Sequence, residues 1–155
     1  MADARKTSTT KAKESGERLS EEERAALKER TAELRAAGRR KKSGKADGES
    51  DLRAKIAEMA EPDRGLAERL HALVTEAAPH LAPTTWYGMP AWALDGKTMC
   101  FFQAAAKFKS RYATFGFNDN AKLDDGAMWP TAYALTALGD AEAAAISAMV
   151  KKAAG

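Results

Sequence analysis

The chain is poor in cysteine, histidine and long apolar runs, and each shortage excludes a class of protein. Its 155 residues include one cysteine, Cys100, and two histidines, His71 and His80. One cysteine cannot form an internal disulfide, and three Cys and His residues cannot supply the four ligands of a structural zinc site. No stretch reaches the roughly 18 apolar residues of a membrane-spanning helix. We therefore expect a cytoplasmic protein of one domain, without disulfides, structural zinc or a membrane span.

Aromatic residues are missing from the first part of the chain, since all eleven lie between Trp86 and Tyr133. The core is therefore predicted to be C-terminal. Residues 1–20 also lack an apolar segment, so we expect no secretory signal. The net charge of +3 comes from the part that precedes Pro62.

The N-terminal third divides into three segments by composition. Residues 1–18 form a basic and polar tail with too little apolar surface to offset the entropy cost of ordering, and are predicted to be disordered. A helix is predicted over residues 19–38, because Ser20 and Glu23 have the spacing of a capping box. Residues 39–50 combine basic residues with Gly and Ser and are predicted to be a flexible linker. Whether residues 20–37 dock on the rest of the chain is left open.

Residues 51–155 are predicted to form an α+β domain, a small antiparallel sheet of three to five strands packed against helices. Apolar residues at helical spacing predict a short helix that ends at Pro62 and a second helix over residues 63–78. Residues 79–90, with three prolines, are predicted to be a loop. Asp95-Gly96 is typical of a type I′ hairpin, and it precedes strands predicted at 97–104 and 111–117. A short strand near Tyr133 and a last helix capped by Asp140 complete the fold.

The segment TWYGMPAW, residues 85–92, is the most distinctive candidate for a binding site. Its aromatic side chains offer apolar surfaces with polar handles, and Gly88 allows close approach of the backbone. These aromatics line a pocket in one interpretation and belong to the plain core in the other. A basic group nearby either recognises an anionic ligand or keeps an edge strand soluble. The candidate ligand-binding residues are Trp86, Tyr87, Met89, Pro90, Phe102, Lys107, Phe108, Lys109, Arg111 and Phe117.

Metal and catalytic candidates are fewer. Asp119, Asp124 and Asp125 form a polar segment whose oxygens suit iron or another hard cation, or which is a solvated turn. No catalytic residue is predicted, because Cys100 in mid-strand and His71 on a helix are better explained as parts of the core. The basic cluster in residues 39–45 either contacts nucleic acid or an acidic partner, or is solvated.

The ordered motifs W-Y-G-M-P-A, D-G, C-F-F-Q, K-F-K and L-D-D-G-A-M-W-P resemble the YdhG-like family of small bacterial proteins, from about Leu52 to Lys152. The resemblance implies an α+β domain with an antiparallel sheet. Some members are described as frataxin-like intracellular iron chaperones, so it also implies iron binding without bond-making chemistry. The family supplies no agreed catalytic residue.

Three functional hypotheses follow. The leading one is a non-enzymatic protein that binds a small ligand or a metal ion, iron included. The alternative is a protein-interaction module whose aromatic face binds a partner while the basic tail contacts nucleic acid or an acidic surface. A third is an enzyme that holds an anionic substrate with Lys107, Lys109 and Arg111.

Overall fold

The computed structural model describes residues 20–40 and 45–155, and the tail predicted over residues 1–18 lies outside them. These ranges contain four helices and one sheet of five strands. In chain order the elements are α1 (Glu21–Arg40), α2 (Lys45–Ala57), α3 (Asp63–Ala77), β1 (Ala82–Trp86), β2 (Met89–Leu94), β3 (Lys97–Gln103), β4 (Ala113–Phe117), β5 (Ala132–Leu135) and α4 (Asp140–Ala154). The predicted α+β class is confirmed.

The sheet is an antiparallel meander in the order β1-β2-β3-β4-β5. Leu94 pairs with Lys97 across a two-residue turn, in which Asp95 and Gly96 have φ values of 51° and 82°. Positive φ at both central positions is the requirement of a type I′ hairpin, so the predicted turn is confirmed. The predicted strands at 97–104 and 111–117 correspond to β3 and β4.

One face of the sheet forms the hydrophobic core with the helices. Register pairs Trp92 with Cys100, Cys100 with Phe117 and Phe102 with Phe115, so these side chains share that face. Buried apolar residues of α2, α3 and α4 pack in the same cluster, among them Leu52, Leu70, Val74, Ile146 and Val150. Cys100 is fully buried, and burial raises the pKa of its thiol, so its predicted role as a small core residue is confirmed.

The loop predicted over residues 79–90 was wrong, since β1 and the start of β2 lie in it. Ala82 to Trp86 pair with Ala93 to Met89, and β1 is the edge strand of the sheet. An edge strand tolerates Pro83, because a proline there need not donate to a second neighbour. Of the three prolines that indicated a loop, Pro83 therefore lies in the edge strand, whereas Pro90 lies in β2 and Pro79 precedes the sheet.

The flexible linker predicted over residues 39–50 was also wrong for its second half, because α2 begins at Lys45. The boundary predicted near Ser50 falls inside that helix. Gly48 brings α2 against β1, where an added Cβ would lie 2.1 Å from the carbonyl oxygen of Pro83. Gly48 is therefore a packing contact and not a linker residue. Residues 41–44 lie outside the described ranges.

The predicted cap of the last helix is shifted by one position. Gly139 is the N-cap of α4, without a side-chain cap, and Asp140 is the first helical residue. Asp140 and Glu142 still lie in the first turn, where negative charge interacts favourably with the helix dipole.

Candidate functional site

Helix α1 docks on the domain, which answers the question that the sequence left open. The predicted capping box is present: the Ser20 amide donates to Glu23 Oε2 at 3.3 Å, and the Glu23 amide donates to Ser20 Oγ at 3.1 Å. Glu22, Glu29 and Glu33 lie seven and four positions apart and so share one face of α1. This face meets the β1–β2 turn and the segment that follows β3.

The β1–β2 turn binds a carboxylate of α1 through its backbone. The Tyr87 amide donates to Glu33 Oε2 at 2.9 Å, and the Gly88 amide donates to Glu33 Oε1 at 2.7 Å. Tyr87 and Gly88 have φ values of 52° and 76°, and successive amides in such a turn make a concave anion-binding surface. The Arg30 guanidinium lies 5.3 Å from the centroid of the Tyr87 ring. The WYGMP turn is therefore an anion-binding element.

Three lysines approach the carboxylates on this face of α1. Lys107 Nζ donates to both carboxylate oxygens of Glu29, at 2.8 and 3.0 Å, and to the Gly88 carbonyl oxygen at 3.3 Å. Lys55 lies 3.9 Å from Glu29, and Lys109 lies 2.6 Å from Glu22. We call the amides of Tyr87 and Gly88, with the side chains of Lys55, Lys107 and Lys109, the carboxylate site.

The ion pair between Glu22 and Lys109 shifts the pKa values of both side chains. The hydrogen bond from Lys109 lowers the pKa of Glu22 below its ordinary value, and the hydrogen bond to Glu22 raises the pKa of Lys109. Both groups are therefore charged at neutral pH. The two lysines that the sequence proposed as anion ligands, Lys107 and Lys109, contact carboxylates of the same chain.

A second feature is a cavity of about 680 Å³ between α1 and the sheet, which we call the α1–sheet cavity. Trp86 lines it, and the Trp86 ring packs on Phe101 and Tyr87 with centroid distances of 5.0 and 4.9 Å. The other lining residues are Arg30, Glu33, Leu34, Thr84, Thr85, Ala93, Gly96, Lys97, Thr98, Asn118, Asp119 and Asn120. Volumes of roughly 300–1,000 Å³ are typical of small-molecule sites.

Two asparagines supply the amide groups of this cavity. Asn118 Nδ2 donates to the Thr98 carbonyl oxygen at 3.0 Å, and Asn120 Nδ2 donates to the Lys97 carbonyl oxygen at 3.3 Å. Asn120 Oδ1 is buried and accepts no hydrogen bond from the described residues. A buried acceptor without a donor costs free energy, so the hydrogen bonding of this lining residue is incomplete.

The predicted aromatic pocket is not assembled. Phe102 and Phe117 belong to the core face, whereas Trp86 and Phe101 lie on the opposite face, so the plain-core interpretation is correct for those two phenylalanines. Met89 pairs with Trp86 across the β1–β2 turn. Met89 and Pro90 are buried within β2, and the Phe108 ring lies 5.9 Å from Lys107 Nζ. Arg111 contacts Tyr112, 5.3 Å from the ring centroid, and so does not join the carboxylate site.

The three aspartates proposed as metal ligands do not form a ligand set. Asp119 borders the α1–sheet cavity, whereas Asp124 and Asp125 are exposed in the turn-rich segment before Trp129. Within residues 20–40 and 45–155, no three His, Cys, Asp or Glu side chains are arranged to hold a metal ion. The solvated-turn interpretation fits Asp124 and Asp125.

His71 has a structural role, as the sequence suggested. Trp92 Nε1 donates to His71 Nδ1 at 3.3 Å, so Nε2 carries the hydrogen and donates to Glu49 Oε1 at 3.2 Å. Arg53 and, second, His71 lower the pKa of Glu49 through hydrogen bonds. The chain of contacts fastens α2, α3 and β2 together.

The sequence reasoning missed the residues of α1. Glu29 and Glu33 were not singled out, although carboxylates on one helical face and a basic segment at residues 107–111 are both visible in the sequence. Asn118 and Asn120, which flank the metal candidate Asp119, were not among the candidate binding residues. Their amide groups were a signal for a site that binds through hydrogen bonds.

Comparisons of the chain with models of protein families, with curated proteins and with solved structures find no match. Over the ranges that the structure describes, no helix has both the length and the apolar character needed to cross a membrane. The site geometry is therefore the basis of the functional proposal.

Proposed function

We propose that the protein binds a small uncharged molecule in the α1–sheet cavity and performs no chemistry on it. The observation that supports this function most directly is that Trp86 and the polar side chains of Thr84, Asn118 and Asn120 line one cavity. An aromatic side chain and a few fixed polar groups are what small-molecule sites offer their ligands. Membership of the YdhG-like family stays a prediction beside this proposal.

The charges around the cavity argue for a neutral ligand. Arg30 and Lys97 supply two positive groups, and Glu33 and Asp119 supply two negative groups. Their balance favours a ligand without net charge, and the threonine hydroxyls and asparagine amides favour one with several hydrogen-bonding groups. Monosaccharides and nucleosides both have this chemistry. Iron binding stays the prediction of the family resemblance, although Asp119, Asp124 and Asp125, the candidate ligands that the sequence offers, form no ligand set among the described residues.

The test is a titration of ¹⁵N-labelled protein with monosaccharides and nucleosides, followed by NMR. We expect saturable shifts of the Trp86 indole N–H and of the Asn120 side-chain amide for one of the two classes. Trp86→Phe is expected to weaken this binding by about tenfold, the equivalent of about 1.4 kcal/mol. Trp129→Phe is the matched control, because Trp129 packs against the core and is absent from the cavity lining.

Two outcomes would contradict the proposal. One is a titration without saturable shifts for either class, or with shifts that Trp86→Phe leaves unchanged. The other is a rise in melting temperature with ferrous iron that is lost in the D119N/D124N/D125N variant, which would favour the metal-binding hypothesis instead.

A further inference from the structure

Helix α1 is attached to the domain mainly by its carboxylates. Leu27 and Leu34 of α1 are 47% and 58% exposed, whereas the Glu33 side chain is only 12% exposed. Apolar contact is the usual means by which a helix is held on a domain. Since the two leucines of α1 remain exposed, contacts of Glu22, Glu29 and Glu33 with the carboxylate site dominate the docking.

The carboxylate site is positioned by parts of the domain other than α1. Pairing of Trp86 with Met89 closes the two-residue turn that orients the Tyr87 and Gly88 amides. Lys107 also bonds the Gly88 carbonyl oxygen, and Lys55 belongs to α2, which is fixed by buried residues such as Leu52. The site therefore has its shape before α1 arrives.

The site matches one kind of occupant. Two convergent amides bind both oxygens of the Glu33 carboxylate. Lys107 binds the carboxylate four positions earlier on the same helical face, and Lys109 binds the one eleven positions earlier. A ligand with one carboxylate would leave part of the site unused. An amphipathic helix that presents glutamates at i, i+7 and i+11 uses all of it.

We propose that the carboxylate site recognises an acidic helix of a partner protein, and that α1 is an internal competitor for the same site. An isolated helix of this length is only marginally stable in water, so α1 can leave its site without disturbing the core. When the partner helix binds, its carboxylates take over the contacts that Glu29 and Glu33 make with the carboxylate site. This proposal does not depend on the ligand of the α1–sheet cavity.

The test must weaken the internal competitor, because α1 on a short connection has an effective concentration on the order of millimolar. The receptor is the full chain with E22Q/E29Q/E33Q, which removes the three charges and keeps residues of similar helix propensity. The probe is a fluorescent peptide of residues 20–40, followed by anisotropy at low salt. We expect the peptide to bind this variant at least about tenfold more tightly than it binds the native chain.

Matched variants separate recognition from general attraction between opposite charges. A peptide with the same three glutamates replaced by glutamine is expected to bind the variant receptor about tenfold more weakly. Adding Lys107→Gln to the receptor is expected to have a comparable effect. Lys151→Gln removes the same charge from the exposed last turn of α4, away from the carboxylate site, and is expected to change the affinity little.

Three results would overturn the proposal. In the first, both peptides bind equally, or Lys151→Gln weakens binding as much as Lys107→Gln. In the second, hydrogen exchange shows that α1 of the triple variant is still protected, which would mean that carboxylates do not hold it. In the third, native mass spectrometry finds a dimer of the native chain that the triple variant loses, which would assign the site to α1 of a second copy.

Discussion

The two sides of the sheet are covered by helices in different ways. Helices α3 and α4 bury Leu70, Val74 and Val150 completely against the core face. Helix α1, near the opposite face, leaves Leu27 and Leu34 exposed and places carboxylates on amides and lysines. Salt does not screen the burial of apolar surface, whereas exposed ion pairs are worth about 0–1 kcal/mol each and are screened. The difference indicates that α3 and α4 are permanent and α1 is exchangeable.

The largest expected effect is the loss of stability when a buried apolar side chain of α3 is shortened. Leu70→Ala removes a fully buried side chain of α3 and leaves a cavity, so we expect the free energy of unfolding to fall by about 2–5 kcal/mol. Leu34→Ala on α1 is the matched change, expected to stay within about 0.5 kcal/mol because that side chain is largely exposed. Urea denaturation followed by circular dichroism measures both. Equal losses would show that α1 is held by apolar contact too.

The apolar side of the molecule could largely be predicted from the sequence, because its signals are local. Leu66, Leu70 and Val74 repeat at the helical period, and Asp95-Gly96 indicates a hairpin by its residue types alone. Strand β1 was missed because Pro83 indicates a loop wherever the topology is unknown. The position of β1 at the edge depends on how all five strands are ordered, and no local sequence pattern describes that order.

The candidate site could be predicted only in part, and for the same reason. Tyr87 was singled out because of the adjacent glycine, and Lys107 because of its charged neighbours. The Tyr87 and Gly88 amides contact Glu33 over 54 and 55 positions, and Lys107 contacts Glu29 over 78 positions. Charged contacts over such separations leave no periodicity in the sequence, so the docking of α1 had to be seen in the structure.

Alanine substitutions of two glycines test whether the carboxylate site holds α1, and their expected effect is intermediate in size. Gly88 and Gly96 both have positive φ, so replacing either by alanine costs about 1–2 kcal/mol of backbone strain. A Cβ on Gly88 would lie 1.2 Å from Glu29 Oε2 and 2.5 Å from Lys107 Nζ, whereas one on Gly96 has no neighbour within 4 Å. Gly88→Ala therefore also separates Glu29 from Lys107.

Hydrogen exchange of the α1 amides detects that extra effect. We expect Gly88→Ala to accelerate exchange in α1 about fivefold, as the loss of about 1 kcal/mol of docking free energy predicts. Gly96→Ala is expected to leave α1 exchange unchanged, although it destabilises the β2–β3 hairpin. Acceleration by both variants would indicate that α1 responds to overall stability and not to the carboxylate site.

The smallest expected effect is the pH dependence of the pair between Glu22 and Lys109. Because the pKa of Glu22 is lowered in the folded chain, its contribution to docking is present above the ordinary carboxyl pKa and is lost as the pH falls through the folded value. The pKa of Lys109 is raised, so its contribution is present below the ordinary amine pKa and is lost as the pH rises through the folded value. The pair therefore supports α1 docking between these two limits.

NMR shifts of α1 amides, followed across acid and alkaline titrations, measure this dependence. Lys109→Gln is expected to return the pKa of Glu22 toward its ordinary value, because the hydrogen bond from Lys109 is the largest cause of the shift. The Lys109 side chain is 79% exposed, so solvent screens the pair and the midpoint of urea unfolding should hardly move. If the shifts of the α1 amides change in the same way during acid titration of the native chain and of Lys109→Gln, the pairing of Glu22 with Lys109 is contradicted. Docking of α1 would then depend on Glu29 and Glu33 alone, which narrows the charged interface to the β1–β2 turn and Lys107.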